Sequence, residues 1–231
     1  MSFELSPVEK HELRDVINML FKAYDSESAF VNAIYPYTLT EDGINGLDMV
    51  VARLEYLRDV LDPSTQWWKV TDISTGEIIL ASQWNVYYKD SEKPPPMHLD
   101  GPPKAWKDET EKKYAIEMFK NFIAPREAKY AKDDVHAPII CLNIMGTTQK
   151  HRSKGAASLQ IAYYNELADK LDAFITTEST IAAERLYKKY GYEPKQEFVV
   201  EAISEEFASR PKEKLIFMER ERRSKRGDVH K

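Results

Sequence analysis

Cysteine is almost absent from this sequence: Cys141 is the single thiol among 231 residues. One thiol cannot close an intramolecular disulfide, which points to a reducing, cytoplasmic setting. Cys141 lies inside the apolar run Pro138 to Met145 and reads as a small buried hydrophobe rather than a nucleophile. Long apolar runs are missing too. None is long enough to cross a bilayer, and the charge at Glu4 comes too early for a secretory signal, so no membrane partner is expected. The histidines (His11, His98, His136, His151 and His230) are scattered and have no cysteine pair beside them, so no metal site is expected. Nor is there an excess of positive charge: 33 lysines and arginines stand against 38 aspartates and glutamates, which argues against general nucleic-acid binding. The local exception is Arg220, Arg222, Arg223, Lys225 and Arg226. Residues 220–231 read as a solvated basic tail, with nuclear import or anion docking as the alternative.

What is present is the composition of one globular domain, here 1–219: 42% hydrophobic and 31% charged residues, with no linker and no repeat. The most informative stretch is Gln149 to Ser158. It follows the apolar run, which reads as a buried strand. It precedes Ala156, Leu159, Tyr163, Leu167 and Leu171, whose spacing predicts a helix. A small, basic turn therefore joins a strand end to a helix start, where unpaired N–H groups and the helix dipole favour an anion. Gly155, Ala156 and Ala157 let a pyrophosphate approach the backbone, and Arg152 and Lys154 add charge. The turn is neither a P-loop nor a dinucleotide fingerprint, since the glycines of both are lacking.

Arg152-Ser153-Lys154-Gly155-Ala156-Ala157 resembles the [RQ]-x-x-G-x-[GA] signature of the GCN5-related N-acetyltransferases, the GNAT superfamily. Downstream, Thr177 to Tyr192 resembles that family's strand end followed by A-x-x-L-Y-x-x-x-G-[FY]. The resemblance covers residues 137–192 strongly, and fungal-type members of unassigned substrate are the nearest suggestion. It implies an α+β acyl-CoA N-acyltransferase fold, a mixed central sheet flanked by helices. It also implies an acetyl-CoA-dependent enzyme that acetylates a primary amine, small molecule or peptide, by direct attack in a ternary complex. A non-catalytic acyl-CoA-binding or interaction module is the alternative. Monomer and homodimer stay open.

Carried residue by residue, the resemblance gives acetyl-CoA to Arg152, Ser153, Lys154, Gly155, Ala156, Ala157 and Ser158. It gives the pantetheine arm to the backbone of Met145, Gly146 and Thr147, with Thr180 and Ala183 facing it. Tyr187 would be the acid that protonates the leaving thiolate. Glu178 is the first candidate base; Asp134 and His136 acting through water are others, and Asn143 cannot serve. Ala157 stands for the last glycine of the signature, Thr180 for a frequent asparagine and Gln149 for a frequent proline. Gly146 suits a bulge or a close backbone approach.

Elsewhere, Phe3-Glu4-Leu5 reads as a strand, and Ser6-Pro7-Val8-Glu9 reads as a helix start with Ser6 at the cap. Leu13 to Tyr24 is amphipathic, and Asp25-Ser26-Glu27-Ser28 breaks it. An irregular aromatic segment follows, from which Tyr35, with Trp84 from a later strand, is expected to line the acceptor pocket; the other reading is that these rings cap the core. Thr40 to Gly43 starts another helix that Pro63 ends. Two strands flank the turn Ser74-Thr75-Gly76-Glu77. Residues 89–107 form a proline-rich insertion. A helix from about Asp108 to Ala131 and two final strands, Glu197 to Ala202 and Lys214 to Glu219, complete the order β, α, α, β, β, insertion and helix, β, α, β, α, β, β.

Overall fold

The computed structural model describes residues 2–24, 28–36, 46–89, 106–132 and 138–226. Among them seven strands form one mixed sheet: β1 (Phe3–Pro7), β2 (Thr65–Asp72), β3 (Glu77–Tyr87), β4 (Ile139–Thr147), β5 (Phe174–Thr180), β6 (Glu193–Val200) and β7 (Glu213–Arg220). Their spatial order is β1-β2-β3-β4-β5-β7-β6, and all neighbours run antiparallel except β4 and β5. Six α-helices connect them: α1 (Leu13–Tyr24), α2 (Ala29–Ile34), α3 (Gly46–Tyr56), α4 (Glu109–Lys132), α5 (Ala156–Leu171) and α6 (Glu184–Lys189). The proline-rich stretch and the start at Thr40 to Gly43 lie almost wholly outside the described residues. No described helix is long and apolar enough to cross a membrane.

The sheet is covered on both faces. One face buries Leu13, Val16, Ile17 and Leu20 of α1 with Val50 of α3, Met118 and Phe119 of α4 and Leu215 of β7. The other buries Trp84, Ile140, Leu142, Ile175 and Met218 beneath Ile161, Tyr164 and Ala168 of α5. Strand alternation sends neighbouring residues to opposite faces, so each central strand feeds both cores. The β2–β3 turn forms as its residues predict: Asp72 Oδ1 accepts from the Ser74 backbone N–H at 2.9 Å, and Gly76 takes a positive φ of 70°.

Three sequence expectations change. Ser6 and Pro7 remain in β1, paired with Lys69 and Trp68, because an edge strand tolerates a residue without an N–H. The helical turn starts instead after Glu9, whose N–H donates to the Glu12 carboxylate at 2.9 Å. The aromatic segment is not irregular from its start: α2 carries it to Ile34, capped by Ser28, whose Oγ accepts from the Val31 N–H at 3.1 Å. The basic tail is not all solvated. Arg220 belongs to β7, and it and Arg226 both pair with Asp169 of α5.

Candidate active site

The turn between β4 and α5 is shaped by two left-handed residues, Ser153 (φ 61°) and Gly155 (φ 96°). A Cβ on Gly155 would meet nothing within 4 Å, so glycine is required there by backbone conformation rather than by space. No side chain caps α5 and its first turn carries no acidic residue, which leaves a helix N-terminus ready for an anion. Lys154 and Ser158 stand at this end. Arg152 is placed differently. Its Nη2 donates to the Ala23 carbonyl at 2.7 Å and its Nε to the Thr147 carbonyl at 3.3 Å, so it ties the turn to the end of α1.

The end of α1 also touches β4. Tyr24 Oη donates to the Met145 carbonyl at 3.1 Å. A Cβ on Gly146 would lie 2.9 Å from Leu20 Cδ2 and 3.3 Å from Tyr24 Cε2. Close approach thus explains Gly146. The bulge lies earlier: Gln83 pairs with Ile144 and Trp84 with Leu142, which leaves Asn143 as the extra residue.

Past this bulge the sheet opens. β4 and β5 pair only from Ile139↔Phe174 to Leu142↔Thr177. Beyond, Met145, Gly146 and Thr147 stay on β3, while Glu178, Ser179 and Thr180 stay on β7. One guanidinium sits at the fork. Arg126 of α4 donates Nε to Glu178 Oε1 at 3.0 Å, Nη1 to Asn143 Oδ1 at 2.6 Å and Nη2 to the Leu142 carbonyl at 3.3 Å, and Nη2 also meets Glu178 Oε2. Both side chains are buried, Arg126 5% exposed and Glu178 not at all. Burial pushes the Glu178 carboxyl up and Arg126 pulls it back; burial works against the Arg126 charge, yet Glu178 holds it well above its ordinary value. The network continues through Asn143 to Asn85, whose Nδ2 donates to Asp62 Oδ2 at 2.9 Å.

Solved structures share this architecture. The chain aligns with arylalkylamine N-acetyltransferase 2 from Aedes aegypti at a TM-score of 0.59 and 18% identity, over 95% of this chain and 98% of that one. With the C-terminal condensation domain of Ebony, solved in complex with beta-alanyl-dopamine, the TM-score is 0.63 at 15% identity, again over 95% and 98%. An acetyltransferase from Corynebacterium glutamicum described as histone acetyltransferase HPA2 and related gives 0.56 at 15% identity, over 96% and 97%. The chain has the GNAT fold. No protein-family model matches its sequence, and no curated protein does.

Within this GNAT fold a cavity opens at the fork, and Met145, Glu178, Thr180, Ala183, Tyr187 and Tyr35 all line it. The sequence thus named residues that converge. Tyr187 is buried against Tyr192, ring centroids 5.3 Å apart. Burial raises its phenol far above the ordinary value, and a hydrogen bond with Thr177 opposes the rise without cancelling it. Trp84 is a correction. It is fully buried on the α5 face, stacked on Tyr164 at 3.9 Å with its Nε1 donating to Ser82 Oγ at 2.9 Å, because alternation along β3 turns it away from the cavity. The aromatic wall instead comes from Phe30 of α2 and Phe119 and Phe122 of α4, with Phe30 and Phe122 stacked at 3.9 Å. Asp134 and His136 lie outside the described residues.

The sequence reading missed Arg126 and Glu213. For Arg126 a signal existed. It continues the buried stripe Tyr114, Met118, Phe119, Phe122 of α4 at helical spacing, and a charge on an apolar stripe calls for a buried partner. Glu213 carried none, because it stands just before the apolar run Lys214 to Glu219, which reads simply as a final strand.

Proposed function

We propose that this protein is an acetyl-CoA-dependent N-acetyltransferase that moves the acetyl group to a primary amine by direct attack in a ternary complex. The observation that carries the reading is the parting of β4 from β5 between an uncapped, glycine-turned helix start and the buried phenol of Tyr187. In this reading the N–H groups opening α5, with Ser153, Lys154 and Ser158, hold the pyrophosphate. Gly155, Ala156 and Ala157 keep that approach clear, and Arg152 fixes the turn against α1. The backbone edge at Met145, Gly146 and Thr147 pairs with the pantetheine arm through N–H groups that face away from β3, the Met145 and Thr147 carbonyls being taken by Tyr24 and Arg152, beside Thr180 and Ala183. An N–H on that edge meets the oxygen that becomes negative as the amine attacks. Tyr187 protonates the thiolate; its raised phenol is neutral at the working pH and so carries the proton to be given. Glu178, expected as a base, has both oxygens on Arg126, so we assign it to holding the fork open. The aromatic wall suits a small amine better than a peptide.

The test is calorimetric titration with acetyl-CoA of the native chain and of a Lys154→Glu, Gly155→Glu variant that melts near the native temperature. Binding by the native chain, weakened more than about tenfold in the variant, is expected, followed by turnover with amines. Tight binding with no turnover would select the non-catalytic module; a folded native chain that does not bind would end the reading.

A further inference from the structure

The cavity holds a second carboxylate. Glu213 opens β7, half-buried, and shares its face with Leu215 at the cavity wall. Its Oε2 accepts from Ser28 Oγ at 2.6 Å and from the Phe30 backbone N–H at 3.0 Å. Both donors are neutral. The flanking lysines are engaged elsewhere, Lys212 with Glu201 and Lys214 with Glu197, and no described lysine or arginine pairs with Glu213. Glu178, by contrast, is already neutralised by Arg126. The titratable groups around Glu213 are Tyr24 from α1, Tyr35 after α2, Tyr114 from α4, which bonds the Pro211 carbonyl, and Glu178 and Tyr187 across the cavity. Burial, then Tyr187, then Glu213 push the Tyr24 phenol up, which sets Tyr24 near both the acid and this carboxylate.

Phe30 supplies both a ring to the aromatic wall and an N–H to Glu213. One unneutralised carboxylate therefore adjoins one ring-lined surface. We propose that Glu213 binds the acceptor's ammonium and takes its proton, and that the acceptor is a primary monoamine on an apolar, ring-sized body. This rests on the acetyltransferase reading above. The ammonium gives one proton to the Glu213 carboxylate. The freed lone pair attacks the thioester carbon, so that the C–N bond forms and the C–S bond breaks. The thiolate leaves with the Tyr187 proton, and the second proton shed by nitrogen restores Tyr187. A polyamine would need a second free carboxylate, and Glu178 is not one.

The test measures thiol release by the full chain with phenethylamine and with spermidine, across pH, in native, Glu213→Gln and Glu213→Asp forms. Phenethylamine is expected to exceed spermidine in kcat/KM by more than about tenfold. Glu213→Gln keeps an oxygen for Ser28 and Phe30 and should melt near the native temperature. Its kcat/KM at neutral pH should fall about 10²-fold and then climb about tenfold per pH unit, because the amine must now shed its proton in water. Glu213→Asp recovers part of the loss and supplies the readout should the glutamine variant not fold. A Glu213→Gln enzyme with the native pH profile, or a preference for spermidine, overturns the proposal while leaving acetyl transfer intact. A native chain that binds acetyl-CoA but acetylates neither amine overturns it too, and one that does not bind acetyl-CoA overturns both readings.

Discussion

Tyr187 and Tyr24 keep their protons for the same reason: each phenol is buried, and a phenolate there would lose its hydration. Only Tyr187 is assigned to proton transfer. Tyr187→Phe should therefore lower kcat about 10²-fold while the calorimetric affinity for acetyl-CoA stays within about twofold; unchanged turnover would remove that role. Arg126 and Glu178 form a buried pair whose members stabilise mainly by having each other. Arg126→Met alone strands a carboxylate and should cost about 3–5 kcal/mol in urea unfolding, whereas replacing both by methionine should cost less than either single change. Gly155 and Tyr187 were legible in the sequence because each belongs to a spaced signature. Trp84 was misplaced because a ring in a strand shows its residue type but not its face. Glu213 was invisible because its meaning depends on Ser28 and Phe30, which lie about 185 residues away in the chain.

At the scale of elements, the order of strands and long helices followed from apolar runs and helical spacing, which is why the two signatures fell at strand–helix junctions. Short elements escaped. α2 is six residues, less than two turns, too brief for its apolar pattern to stand apart from a loop. The end of β7 escaped because a run of arginines reads as solvent-facing until Asp169 is seen beneath it. That clasp gives a pH signature. Burial alone would raise the Asp169 carboxyl, but Arg220 and Arg226 outweigh it and hold it below the ordinary carboxylate range. The clasp is fully formed above about pH 4 and is lost as pH falls through the depressed folded value. Asp169→Asn should lower stability at neutral pH and flatten part of the acid-induced loss below about pH 4, read by thermal melting across pH.

At the scale of the molecule, two cores on opposite faces share one sheet, and the opening at its centre is compatible with stability because each parted strand keeps its other neighbour. A ligand that binds only the folded chain should raise its stability by about 2.7 kcal/mol at a hundredfold excess over Kd. The expected increase in melting temperature with acetyl-CoA should vanish in the Lys154→Glu, Gly155→Glu variant. The parted strands also make β4 a single element with two regimes of amide exchange. Amides of Ile140 to Leu142 sit between two paired neighbours and should exchange with deuterium only when the sheet unfolds. Those of Met145 to Thr147 that point away from β3 should exchange quickly in the free protein and slow once acetyl-CoA fills the gap, so that occupancy is recorded along one strand, residue by residue.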